Sequence, residues 1–190
     1  MEKENKVEFG LKNVHVAPLT FDGTKYTYSE IFKLPGAVNL TLNPSGDSSD
    51  FYADDIVYYS GTANNGYEGE LEFARITNSF REKILNEIKD AAGAFIEDAS
   101  LDINPFALGF EIDGDVSKKR IWLYNCTCGR PSTEASTKQN TKEPKTSKAS
   151  FKALPRSTDN LVKTVLIPNE TNKSAYDSFF SKVYEKTETL

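Results

Sequence analysis

Short segments in which apolar and polar residues alternate recur along this 190-residue chain. That period of two restricts it to folds built from half-buried strands. Val14 and Val16 alternate with Asn13 and His15; Val38, Leu40 and Leu42 alternate with Asn39, Thr41 and Asn43. Phe106, Leu108, Phe110 and Ile112 alternate with Ala107, Gly109, Glu111 and Asp113. Turn signals separate these runs at Asp22-Gly23, Pro35-Gly36, Asn65-Gly66 and Asp113-Gly114. Strands with one apolar and one polar face belong in antiparallel sheets. Residues 121–127 (IWLYNCT) are apolar on both faces, with Ile121 and Leu123 on one and Trp122, Tyr124 and Cys126 on the other. Such a strand is either central in a sandwich or has one face against a neighbouring subunit, which makes Trp122 and Tyr124 interface candidates.

Two amphipathic helices are expected between the strands. Ser79–Lys89 opens with a capping-box pattern, Ser79-x-x-Glu82, and puts Phe80, Ile84 and Ile88 on one stripe. Ser174–Lys186 repeats the device with Asp177 and spaces Tyr176, Phe179, Phe180, Val183 and Tyr184 as one helical face. Residues 129–150 are rich in Ser, Thr and Lys and poor in large apolar residues, which predicts a long mobile loop or an exposed ribbon. The expected architecture is therefore mainly β: an antiparallel β-sandwich or barrel-like fold with one flanking α-helix, a C-terminal helix and long loops. The length suits a single domain, 1–190.

Composition excludes several functions. A net charge of −5 argues against a general nucleic-acid binder. Residues 47–115 carry sixteen acids and four bases, whereas residues 116–190 carry seven acids and fourteen bases. Such an acidic middle and basic end either meet across stacked copies or neutralise each other within one. The start, MEKENKVEFG, has no apolar leader, and no apolar run reaches membrane-spanning length, so a soluble product of the cytoplasm without membrane contact is expected. Cys126 and Cys128 sit too close in sequence for an unstrained disulfide and are expected to be reduced packing residues. His15 is the only histidine, which leaves no Ser–His–acid triad and no metal set. No phosphate-binding loop or dinucleotide fingerprint occurs. The reading is of a non-enzyme with no cofactor, no metal and no catalytic residue.

Residues 46–73 (GDSSDFYADDIVYYSGTANNGYEGELEF) carry the functional signal. Asp47, Asp50, Asp54 and Asp55 are threaded with Phe51, Tyr52, Ile56, Val57, Tyr58 and Tyr59. A turn-rich stretch, Ser60–Gly66, follows. Aromatic surface on an excursion between strands is sticky in water and points to another protein. Phe51, Tyr52, Asp54, Asp55, Ile56, Tyr58 and Tyr59 are therefore interface candidates on an assembly loop, 46–66, expected to order on contact. In the strand that follows, packing of Tyr67, Leu71 and Phe73 sends Glu68, Glu70 and Glu72 to the opposite face. Glu111 and Asp113 show the same alternation and are expected to extend one acidic face.

The order of these pieces resembles the major tail protein, the tail-tube subunit, of long-tailed bacteriophages of Gram-positive bacteria. The similarity is carried by GLKNVHVAPLT (Gly10–Thr20), KLPGAVNLTLNPSGDSSDFYADDIVYY (Lys33–Tyr59), NNGYEGELEFARI (Asn64–Ile76) and FREKIL (Phe80–Leu85). Later landmarks are FALGFEIDGD (Phe106–Asp115), YNCT with GRPS (Tyr124–Ser132), ALPR (Ala153–Arg156) and FFSKVY (Phe179–Tyr184). Residues 133–150 and the stretch after Lys186 depart from the pattern. The resemblance implies a tail-tube sandwich whose copies form hexameric rings stacked into a tube in the virion tail. Its other partners would be tail proteins such as the tape measure and the terminator, and DNA would transit without specific binding. Glu68, Glu70, Glu72, Glu111 and Asp113 would then face the lumen, where like charge keeps phosphate from adhering. The alternative is a β-sandwich binding module, a decoration or adhesin domain whose aromatics face carbohydrate or a receptor.

Overall fold

The computed structural model describes residues 4–137 and 144–187. The chain is mainly β and its sheets are antiparallel. Nine strands form one sheet: β1 (Glu8–Phe21), β2 (Tyr26–Tyr28), β3 (Phe32–Lys33), β4 (Ala37–Pro44), β7 (Tyr67–Phe73), β10 (Phe106–Gly114), β11 (Lys119–Cys128), β12 (Ser147–Ala153) and β13 (Lys163–Leu166). Its path runs β2-β1-β10-β11-β12-β7-β4, with β3 added to β1 and β13 added to β11. Two small hairpins stand apart, β5 (Ser48–Ala53) with β6 (Ile56–Thr62), and β8 (Ile88–Lys89) with β9 (Phe95–Ile96).

The two central strands, β10 and β11, are buried on both faces. On one face Phe106, Leu108, Phe110, Ile121 and Leu123 join Val14, Val16, Leu71, Phe73 and Phe151 as the sheet curls around them. Helix α1 (Asn78–Lys83) closes that core with Phe80, followed by Ile84 and Leu85. On the other face Ala17, Ala107, Trp122 and Tyr124 are covered by Phe179 and Val183 from the C-terminal segment. Trp122 lies across Gly109, its partner in the ladder, where a Cβ would come within 2.7 Å of the indole. Only glycine leaves room for a side chain that large over a neighbouring strand. Cys126 is buried in the first core and Cys128 packs against it, both as free thiols on one face, and burial pushes the Cys128 thiol up to about 11.

Both helices are shorter than the periodicity predicts. The cap of α1 is Thr77, whose hydroxyl accepts from the Phe80 amide, and the expected box at Ser79 is not formed. The chain leaves the helix at Ile84 and turns through Asn86 at φ 57°. Ile88, expected on the buried stripe, is instead exposed in β8. Helix α2 spans only Lys173–Asp177 and begins at Asn172. Beyond Asp177 the backbone tightens into short turns, with the Phe179 amide donating to the Tyr176 carbonyl at 3.2 Å and the Ser181 amide to the Ser178 carbonyl at 2.9 Å. Side chains of β11 tie these turns to the sheet: Arg120 also donates to the Tyr176 carbonyl, whose second lone pair is free for it, and the Trp122 indole donates to the Phe179 carbonyl at 2.9 Å. β-bulges also break the expected alternation. In the β10–β11 ladder Phe106 pairs with Cys126 but Leu108 with Leu123, so that Cys126, expected beside Trp122 and Tyr124, lies in the first core with Ile121 and Leu123. Two others act nearer the start of the chain. One expels Val38 to the surface between Ala37 and Asn39; the other, at Asn13 with φ 51°, precedes His15.

His15 does not lie on a solvated strand face. It is buried, stacked on Phe180 at 4.4 Å, with Nδ1 2.6 Å from the Asn13 carbonyl. Burial holds its pKa below the ordinary 6.5, and nearby Lys33 and Arg120 push the same way. The unfolded chain therefore binds the proton more readily than the folded one, and stability falls as pH drops through about 6.5 toward the lower folded value. In a pH series of thermal melts, wild type loses more stability between pH 7 and 5 than His15→Gln does. Equal slopes would show that the imidazole is not held neutral by the fold.

Candidate assembly interface

The segment read as an unpaired loop folds into a β-hairpin arm. Backbone hydrogen bonds continue the β4–β7 ladder outward, from Ser45 to Gly66 at 2.9 Å and from Ala63 to Asp47 at 3.0 Å. They merge it with β5 and β6, so that one long ribbon leaves the sheet. Ser60–Thr62, expected in a turn, are strand residues of β6. The reversal occurs instead at Asp54 and Asp55, both in the left-handed region with φ 53° and 62°. Two such residues between paired Ala53 and Ile56 make the kind of two-residue turn whose twist suits a hairpin. The Asn65-Gly66 signal marks the root of the arm. A Cβ at Gly66, where φ is 98°, would come within 2.0 Å of the Ala153 carbonyl. From Ser45 to its tip the ribbon extends about 30 Å at the rise of a strand.

Both faces of the arm are apolar near its tip. Phe51 pairs with Tyr59 on one face and Tyr52 with Val57 on the other. Six of the sixteen exposed large apolar side chains lie between Phe51 and Tyr59, among the described residues. Tyr58, at the bulge in the ladder, is the most exposed of them at 71%. An aliphatic or phenyl side chain gains about 1.5–3 kcal/mol on full burial, so this concentration marks surface made to be covered. Asp47, Asp50, Asp54 and Asp55 make no ion pair among the described residues, which leaves the arm uniformly negative. Phe51, Tyr52, Asp54, Asp55, Ile56, Tyr58 and Tyr59 therefore stand together as the candidate site.

Trp122 and Tyr124 do not join them. Both lie in the second core under the C-terminal segment, and Tyr124 is held between burial and the Arg156 guanidinium, 4.7 Å above its ring. Burial pushes the Tyr124 hydroxyl up to about 12. Of the two environments open to a strand apolar on both faces, this chain takes the central position in its own fold. Arg156 locks the cover in place, bonded to Glu185 at 2.8 Å and also to Asp159 and the Tyr28 hydroxyl.

The acidic face is also different from the expected one. Glu68, Glu70 and Glu72 do point away from buried Leu71 and Phe73. Lys148 and Lys152 of β12 lie on the same face, however, at 3.2 Å from Glu70 and 2.8 Å from Glu68, and Thr146 donates to Glu72. The hydrogen bond to Glu70 holds the Lys148 ammonium above the ordinary lysine range. Three carboxylates against two ammonium groups leave this face close to neutral. Glu111 and Asp113 do not extend it. Glu111 is buried and bound by Arg120 at 2.9 Å and by Asn13, and Asp113 is buried between Lys12 and Lys118. Its bond from Lys12 holds the Asp113 carboxyl below the usual range. Together with Glu97 and Arg130 at 2.9 Å, these contacts pair acids of the middle with Lys12 and with bases of the C-terminal third inside one copy. Charge outside the arm is thus largely neutralised within the chain, and stacking is not needed to balance it.

Lys148 and Lys152 were missed because 129–150, which reads as a loop by composition, takes in the first half of β12. The alternation Lys148, Ser150, Lys152 against Ala149, Phe151, Ala153 was the available signal. Residues 138–143 of that loop lie outside the described residues. Among the described residues no group of three His, Cys, Asp or Glu could hold a metal ion, and no helix is long and apolar enough to cross a membrane. A scan against models of known protein families finds no match, and a search of curated proteins finds none either.

Because Trp122 is the only tryptophan and is fully buried, its emission is expected to be blue-shifted in dilute protein and unchanged on concentration. Deleting residues 173–190 uncovers the indole and shifts emission to the red. An emission change that follows self-association in the intact chain would return Trp122 to the interface.

Proposed function

We propose that this chain is a structural subunit of a phage-type tail tube, closing with copies of itself into hexameric rings that stack around a conduit for DNA. The observation that carries the reading is the arm, a paired ribbon with aromatic side chains on both faces and no cover among the described residues. A head-to-tail contact of arm on body closes into a ring when the rotation permits and continues as a filament when it does not. The ordered series of landmarks from Gly10 to Tyr184 supplies the rest of the reading. The chain would act without catalysis or cofactor, in the tail of a virion assembled inside a bacterial host. At the ends of the tube it would meet other tail proteins, such as a tape measure and a terminator.

The face bearing Glu68, Glu70 and Glu72 is assigned to the lumen. Its neighbours across β4 are Asn39, Thr41 and Asn43, so the three-strand surface carries small polar groups and paired charges. Such a surface offers phosphate no uncompensated cluster of Lys and Arg, and without counterion release DNA is not retained. It would let DNA slide by neutrality rather than by repulsion.

Electron microscopy of the concentrated protein tests both statements. Wild type is expected to form rings or tubes with the Glu68 face toward the bore. Phe51→Ala with Tyr52→Ala is expected to fold normally but to require more than about tenfold higher concentration, since each buried aromatic anchor contributes about 2 kcal/mol or more. A wild type that stays monomeric and binds glycans instead would favour the adhesin alternative. Tubes carrying Glu68, Glu70 and Glu72 on the outer wall would overturn the lumen assignment.

A further inference from the structure

We propose that the tip of the arm docks into the cleft between β2 and the C-terminal segment of a second copy, with Asp54 and Asp55 against Lys25 and Lys182. The inference rests on the arm being a self-assembly element and names its receptor.

The arm sets two requirements, apolar contact for its aromatics and positive charge for four carboxylates. The cleft beside β2 meets both. It has a volume of about 610 Å³, and Tyr26, Ile31 and Val183 supply its apolar wall. Phe21, 45% exposed, stacks on Tyr26 at 4.5 Å and extends apolar surface along the adjoining β1–β2 edge. The floor is fixed and its charges are already paired. Arg156 is 4% exposed and held by Asp159, Glu185 and the Tyr28 hydroxyl. At the rim, Lys25 and Lys182 are exposed and make no ion pair among the described residues. Two mobile ammonium groups over an apolar wall are a match for an acidic turn carried on an aromatic ribbon.

Two other concave surfaces among the described residues do not match. A cleft of about 840 Å³ beside α2 presents Glu4, Glu8, Glu170 and Asp177 against the single cation Lys173, and like charge would repel the arm. The surface lined by Lys173, Ser174, Asp177, Ser178 and Ser181 has no apolar wall. Arm and receptor are different patches of one chain, so each copy gives one contact and receives one. This is a heterologous contact, the geometry that generates rings and filaments.

A charge exchange tests the site by sedimentation and negative-stain microscopy over a concentration series. Asp54→Lys with Asp55→Lys, and separately Lys25→Glu with Lys182→Glu, are each expected to raise the concentration needed for assembly at least about tenfold. Combining all four substitutions in one chain restores assembly, as does mixing the two double variants. All these positions are exposed, and unchanged circular dichroism would confirm that folding is retained. As a second measurement, a chain with Asp55→Cys mixed with one carrying Lys182→Cys is expected to give an intermolecular disulfide that neither forms alone. If the arm variant fails to assemble while the cleft variant assembles normally, the arm docks elsewhere and this site is wrong, although the self-assembly reading survives. If wild type stays monomeric at every concentration, both are wrong.

Discussion

Burial of β10 and β11 on both faces is the constraint from which the other features follow. Strands that present Phe106, Leu108 and Phe110 to one side and Trp122 and Tyr124 to the other need two covers. The first is made by curling the sheet so that β4, β7 and β12 return over the core, with α1 filling the remaining gap. The second is made by the C-terminal segment, fastened through Trp122 to the Phe179 carbonyl and through Arg156 to Glu185. Both covers come from the chain itself. The central strands therefore keep their aromatic side chains inside, exposed apolar residues of the sheet such as Phe9, Phe21, Val38 and Val165 lie on its outer strands, and the largest concentration of uncovered aromatics among the described residues is on the arm.

Much of this was legible in the sequence because strand alternation reports directly on burial. The strands near Val14, Leu40, Tyr67, Phe106 and Ile121 are present, and the chain is mainly β and antiparallel as the turn signals imply. Periodicity said less about the helices. Phe179, Phe180 and Val183 are apolar because they pack around Trp122, yet of the stripe from Tyr176 to Tyr184 only Tyr176 is helical, and the rest follow in tight turns bonded to β11. Periodicity records which side chains face a core and does not record where their backbone bonds go.

The site was legible in its residues and illegible in its form. Phe51, Tyr52, Tyr58 and Tyr59 are exposed together, but Gly and Asn residues after Ser60 masked a hairpin whose turn is Asp54-Asp55. That turn lacks the Asn-Gly or Asp-Gly pair that usually marks such geometry. The acids of the body were misread for a simpler reason: counting them along one strand ignores the strand beside it. Glu111 stands opposite Arg120 in the ladder, and Glu68 stands opposite Lys152. A correct register turns an acidic stripe into a set of cross-strand pairs, whereas the four carboxylates of the arm make no ion pair among the described residues.

The central claim is that the arm is covered by another copy of the same chain. Hydrogen exchange of its backbone amides, compared between dilute and concentrated protein, tests it most directly. The hairpin already satisfies its internal ladder, so moderate protection is expected in the dilute sample and a marked gain confined to residues 46–66 on assembly. The amides of β10 and β11, buried in the single copy, should not change. Equal protection of the arm at both concentrations, under conditions where sedimentation shows assembly, would contradict the account.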